Sequence, residues 1–542
     1  MPSRSNRRPS RAAIALLAGL LSIAGCARGG GESQSSAPPV AAPQPAVVQT
    51  ASGAVRGVVA PGYRVFEGIP YAAAPVGPLR WAPPVAPGPP WPGVRDATKP
   101  GLRCPQDTHH DPDYGRPAGE DCLNLNVWTP DGAAPEAPRP VLVWIHGGGF
   151  LNGSADIYDA RWLTTQGGIV VVTVNYRLGT LGFLAHPALS HNGDSGNYGL
   201  ADQQAALRWV HDNIATFGGD PAKVTIAGES AGAMSVCDHL VAPESDGLFR
   251  AAILQSGPCQ AQADRPTAQR ISLAYADSVG CADPATAAEC LRALPDTRLQ
   301  RPPFYVGFGA DQLTGPVTGT DRLPENPMTA IALNRTPRVP VLIGTNTDEF
   351  TLFTAMQYLE DHRLAPYEQL LSDTFGADAA AVAAHYPLHN YGGNTGLAYS
   401  AAVTDGQFAC PADRMAGGLA HNAPVYAYEF NDRTAPVPDP FHQVPFPVGA
   451  SHGLELRYLF DIGGAPPLNP AQRQLADQMI AYWSQFVKDG APDVSGAPQW
   501  PQLGVDPSTG PRLSLQTGAP SITTDYAARH QCAFWATLAG AR

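Results

Sequence analysis

Lysine is nearly missing from this chain of 542 residues: Lys99, Lys223 and Lys488 are the only ones, and arginine supplies the rest of its 35 basic side chains. Charged residues reach just 15%, and the 47 acidic ones leave a net charge of −12. With no basic stripe there is nothing to hold a phosphate backbone, which excludes nucleic acid as a partner. No internal repeat occurs. The apolar stretch Ala12–Gly25 falls short of the roughly 20 residues needed to cross a bilayer. A metal site is not expected either: His109-His110 with Asp111 sits in a Pro- and Asp-rich loop without ligand spacing and reads as solvated surface.

What the N-terminus does contain is an address. Arg4, Arg7, Arg8 and Arg11 precede the apolar run, the layout of an export signal. The run ends Leu21-Ser22-Ile23-Ala24-Gly25-Cys26, which resembles a bacterial lipobox, where the cysteine is lipidated and becomes the mature N-terminus. A plain secretory signal is the alternative. The expectation is a lipoprotein-type signal over residues 1–25 and a disordered tether rich in Gly, Ser, Gln, Ala and Pro over 26–46. The protein would then be an exported, membrane-anchored lipoprotein facing periplasm or exterior, touching the membrane through that anchor alone.

Of the 9 cysteines, removal of Cys26 leaves an even number, which in an oxidising compartment favours disulfides. Cys104 with Cys122 and Cys281 with Cys290 would close short loops, and Cys410 with Cys532 would staple the C-terminus to the body. Cys237 and Cys259 are either paired or free buried thiols, and spacing alone does not choose among the connectivities.

Apolar β-branched runs alternate with longer amphipathic stretches. Val141–Ile145, Gly168–Val174, Val224–Ala227, Ala251–Leu254, Val339–Ile343 and Val425–Phe430 read as strands, and Ala201–Phe217 and Ala471–Val487 as helices. Unbroken apolar strands are covered on both faces, so the fold class is α/β, a large mostly parallel central sheet flanked by helices. The Pro- and Gly-rich start of the body suggests an antiparallel edge with loops. No linker interrupts residues 47–542, which are expected to form one domain.

Gly228-Glu229-Ser230-Ala231-Gly232 stands between the apparent strand Lys223–Ala227 and the helix-like Ala233–Leu240. A serine between glycines on a strand-to-helix turn is the geometry of a nucleophile elbow. His146-Gly147-Gly148-Gly149-Phe150 follows another strand, and its glycines allow backbone N–H groups to converge on an oxyanion. Gly148, Gly149 and Ala231 are the candidate donors. A base should lie further on, and His452, in Gly449–Phe460, is the strongest of 14 histidines. The acid that orients it should fall between the two in sequence. Asp348 and Glu349, after the strand at Val341, both qualify on local chemistry. Glu229 would add negative potential to the site or support the elbow, and Phe304–Phe308 is a candidate acyl-pocket wall or plain core.

With these segments in order, the chain resembles the type-B carboxylesterase/lipase family, which includes cholinesterases and bacterial esterases. The likeness also rests on Phe66–Ala72, Leu79–Trp81, Glu120–Val127, Gly196–Gln203, Phe217–Pro221, Leu254–Gly257 and Ser451–Gly453. It implies an α/β-hydrolase fold with long loop and helical insertions, Ser230 as nucleophile, Glu349 as acid and His452 as base. Disulfides Cys104–Cys122, Cys281–Cys290 and Cys410–Cys532 are implied too. It further implies a cofactor-free carboxylic ester hydrolase acting on small-molecule esters through an acyl-enzyme. A lipase for long-chain acylglycerols and a weakly catalytic surface binding protein are the alternatives. Pro105–Asp121 holds no tryptophan, so choline esters are not expected substrates.

Overall fold

A computed structural model describes residues 45–106, 116–190, 194–309 and 311–538. The signal segment, nearly all of the tether, Cys26 and the His109–Asp111 group lie outside the described residues. The first strand begins at Pro45, just ahead of the expected boundary at 47.

The valine- and isoleucine-rich runs pair into one 13-stranded sheet. Its strands are β1 (Pro45–Thr50), β2 (Gly53–Ala60), β3 (Tyr63–Pro70), β4 (Val94–Asp96), β5 (Asn124–Pro130), β6 (Arg139–Ile145) and β7 (Val170–Val174). They continue with β8 (Gly219–Glu229), β9 (Ala251–Gln255), β10 (Val341–Asn346), β11 (Val425–Phe430), β12 (Arg512–Leu515) and β13 (Ser521–Thr523). The order is β1-β2-β3-β5-β7-β6-β8-β9-β10-β11-β12-β13, with β4 beside β2. From β7 to β12 every neighbouring pair is parallel, whereas β1, β2, β3, β5 and β7 pair antiparallel in a meander. The antiparallel edge is the one the Pro- and Gly-rich start suggested.

The pleat sends alternate side chains to opposite faces. In β6, Val141, Val143 and Ile145 join one core, and Leu142 and Trp144 the other. Three of the helices that pack on the sheet are α1 (Tyr198–Asn213), α2 (Ala231–His239) and α3 (Pro470–Asp489). α3 begins with a reciprocal cap between Asn469 and Gln472 and stops at Gly490, whose φ of 76° reverses the chain. Expectation and structure part at the strand read as Val339–Ile343. It starts at Val341, because Pro340 has no N–H for the ladder, although its carbonyl accepts Ala252 N–H at 3.0 Å.

Four disulfides are present: Cys104–Cys122, Cys237–Cys259, Cys281–Cys290 and Cys410–Cys532. The pair that spacing left undecided joins α2 to the loop after β9. Such a set belongs to an extracellular or exported protein. Among the described residues no helix is long and apolar enough to cross a membrane, and no group of three or more His, Cys, Asp or Glu could hold a metal ion.

Candidate active site

Strand β8 delivers Ser230 and helix α2 begins at the next residue, so the serine must turn the chain by itself. It does so at φ 55° and ψ −126°, a conformation costing a non-glycine residue about 1–3 kcal/mol. The strain is held by its neighbours: Ser230 N–H donates to Gln255 O at 2.9 Å, and Ser230 O accepts from Met234 at 3.0 Å. A Cβ on Gly228 would run into the Gly232 backbone, and one on Gly232 into the carbonyl of Ile145. The flanking glycines therefore let the elbow press directly on β6, the strand that carries the glycine loop.

That loop turns through positive φ at Gly148 (97°), Gly149 (62°) and Phe150 (60°), and Leu151 and Asn152 close it by donating to Gly148 O. Among the described residues none accepts the N–H of Gly148, Gly149 or Ala231. His146 anchors the loop by stacking on Tyr176 at 4.4 Å, while Tyr176 Oη donates to its carbonyl. Burial pushes His146 down to about 4, so this ring is neutral and structural.

His452 lies between two carboxylates. Its Nδ1 meets Glu349 Oε2 at 2.7 Å, and its Nε2 lies 3.0 Å from Glu229 Oε1. Glu349 is fully buried, and its other oxygen accepts Asn346 N–H at 2.8 Å. Asp348, equal to Glu349 on local chemistry, points elsewhere: Arg433 grips it at 2.8 and 2.9 Å, and Ala450 N–H donates to it at 3.0 Å. Phe353 and Phe408 flank the imidazole at 5.0 and 5.3 Å between ring centres. Burial opposes a charged ring, but Glu229, Glu349 and Glu455 together outweigh it and push His452 up to about 9. Burial likewise pushes the Glu229 carboxyl up to about 8, with His452 pulling against it. Glu229 is therefore part of the charge balance around His452.

Sequence reasoning missed several of these groups. The buried Glu455 carboxyl accepts Asn346 Nδ2–H at 2.6 Å. Its signal was available, a lone carboxylate in the apolar run Leu454-Glu455-Leu456 three residues after the histidine. Asn346, Gln255, Phe353 and Phe408 left no comparable mark. In the Phe304–Phe308 stretch, Tyr305 is core, its hydroxyl bonded to Ser272 and to the backbone of Phe183 and Ala185, while Phe304 is exposed. Leu313, returning from that segment, is the side chain that packs on Gly149.

The sequence has counterparts among known proteins. Residues 44–535 match the family described as the Carboxylesterase family. An acylcarnitine hydrolase of Mus musculus is 34% identical, the alignment covering 83% of this chain and 85% of that protein. A cocaine esterase of Oryctolagus cuniculus is 34% identical, covering 84% and 90%. A fumonisin B1 esterase of Sphingopyxis macrogoltabida is 36% identical, covering 84% of each. With its parallel sheet, elbow and glycine loop, the chain belongs to the carboxylesterase family and is a carboxylic ester hydrolase of the α/β-hydrolase fold.

Proposed function

We propose that this protein is a serine carboxylesterase that hydrolyses small-molecule esters through an acyl-enzyme, residues 47–542 forming the catalytic domain. Ser230 attacks the ester carbonyl while His452 takes its proton. The N–H groups of Gly148, Gly149 and Ala231 receive the oxyanion, and Glu349 holds the imidazole in the tautomer that leaves Nε2 free to accept. His452 then protonates the departing alcohol, and water repeats the sequence on the acyl-enzyme. The observation that carries this reading is the 2.7 Å contact of His452 Nδ1 with buried Glu349, which leaves the opposite nitrogen facing Glu229, the residue before Ser230, at 3.0 Å. The relatives are named for acylcarnitine, cocaine and fumonisin B1, three different substrates. The reading accordingly specifies the bond broken rather than one alcohol.

The test is Ser230→Ala in the purified mature protein. It should fold normally, lose nearly all turnover of p-nitrophenyl butyrate and lose labelling by a fluorophosphonate. Retention of most turnover would refute the assignment. A chain-length series with and without an emulsified interface separates soluble-ester hydrolysis from lipase action.

The export signal and lipobox support the further reading of an exported lipoprotein anchored through Cys26. Expressed in a bacterium with radiolabelled palmitate, the protein should take up label, and Cys26→Ser should not. Equal labelling of the two would remove the anchor.

A further inference from the structure

Gln255 is the last residue of β9, between β8, which delivers Ser230, and β10, which delivers Asn346 and Glu349. Its backbone oxygen receives the Ser230 N–H. Its side chain leads in the opposite direction. Oε1 accepts the indole N–H of Trp483 at 2.8 Å, and Nε2 donates to Glu455 Oε1 at 3.2 Å. All three side chains are buried, with Gln255 and Glu455 fully so. Trp483 belongs to α3 and is wedged edge-on against Tyr428 at 5.1 Å, beside Trp500 at 6.0 Å.

We propose that Trp483 and Gln255 are positioning residues for the base: the indole N–H fixes which way the Gln255 amide faces, and the amide in turn holds Glu455 as an anion beside His452. An amide has a donating and an accepting end, and an indole N–H can only donate. With the indole in place, the carboxamide oxygen must face Trp483 and the NH₂ must face Glu455. Remove the indole N–H, and nothing stops the amide turning its oxygen toward the carboxylate. The inference rests on the reading of His452 as the base and adds a route by which a helix outside the site reaches it.

The sign of the effect follows. Burial pushes Glu455 up to about 7, against the pull of Asn346 and His452, so its charge is easily lost. A Glu455 deprived of the Gln255 donor takes up a proton at higher pH. His452 then faces one fewer anion among Glu229, Glu349 and Glu455, while the Tyr158 and Tyr428 phenols near these carboxyls stay neutral. Its own proton is held less tightly, and the acid limb of activity moves to lower pH.

The experiment is kcat/KM for p-nitrophenyl butyrate from about pH 6 to about pH 11 in wild type, Trp483→Phe, Gln255→Met and the double variant. Each single change should lower the midpoint of the acid limb by roughly 0.5–1 unit, and the double variant should go no further than the larger single, because both cut one path. A folded W483F with an unmoved midpoint overturns the proposal, and so does a double variant whose shift is the sum of the singles. Should W483F fail to fold, Q255M decides, since it leaves the indole packing intact. Ser230→Ala is run alongside. If that variant keeps its turnover, the reading of the site falls; if it is inactive and the midpoints are unmoved, only the positioning role falls.

Discussion

Replacing Glu349 with glutamine changes one atom and should nearly silence the enzyme. Oε1 of Glu349 is already committed to the Asn346 N–H at 2.8 Å, and that donor, buried beside it, must keep an acceptor. In Glu349→Gln the carboxamide oxygen therefore stays at Asn346, and the NH₂ is forced against His452 Nδ1. That nitrogen must then accept, which places the ring proton on Nε2, where it blocks uptake of the serine proton. A base locked in the wrong tautomer costs about 10⁴ in kcat in serine hydrolases generally, or ~5.5 kcal/mol of barrier. Asp348→Asn removes a surface pair whose arginine is largely exposed, so its kcat should stay within about tenfold of wild type. The assay is kcat on p-nitrophenyl butyrate, with the fluorophosphonate labelling rate as a second readout of serine activation. A loss below about tenfold in E349Q, or an equal loss in D348N, would refute the argument.

Two further outcomes follow from other groups. If His452 is the base as proposed, it must be neutral to act, and since it is pushed up to about 9, the acid limb of kcat/KM should lie clearly above the ordinary histidine value of 6.5; a midpoint at or below 6.5 contradicts the carboxylate cage. Buried His530 is held by Asp405 at Nδ1 and by Glu429 at Nε2 at 2.8 Å, and these carboxylates outweigh burial and push it up to about 9. Its folded value lies above its unfolded one, so the stabilisation is complete below 6.5 and drains away as pH rises through about 9. A proton held over that window is worth ~3 kcal/mol, and thermal melts should show Tm falling less across it in His530→Gln than in wild type. Parallel curves would disprove the linkage.

The catalytic strands were readable because burial on both faces leaves unbroken apolar runs, as in Val141–Ile145 and Ala251–Leu254. Arg512–Leu515 and Ser521–Thr523 at the far edge have no such run, and their polar alternation carries no signal of that kind. The elbow and glycine loop were legible because a backbone forced through positive φ or a tight approach leaves glycines in fixed places. The choice between Asp348 and Glu349 was not legible locally. One residue of chain reverses which way a side chain points, and only the position of Arg433 and His452 in space separates the two. Leu254–Gly257 was legible as a family segment, but the role of Gln255 within it was not, since its partners Trp483 and Glu455 lie some two hundred residues away in sequence.

The disulfide between Cys410 and Cys532 encloses 122 residues of separation, and His452 lies inside that loop, along with β11 and β12. Ser230 and Glu349 are both synthesised before the loop opens, the histidine within it, and the closing cysteine after all three. A chain that has not yet reached Cys532 thus carries the proposed nucleophile and acid while the loop that holds the proposed base is still open. Closing that loop takes Cys532 and an oxidant, so the covalent tie around the His452 segment is made by the compartment rather than by translation.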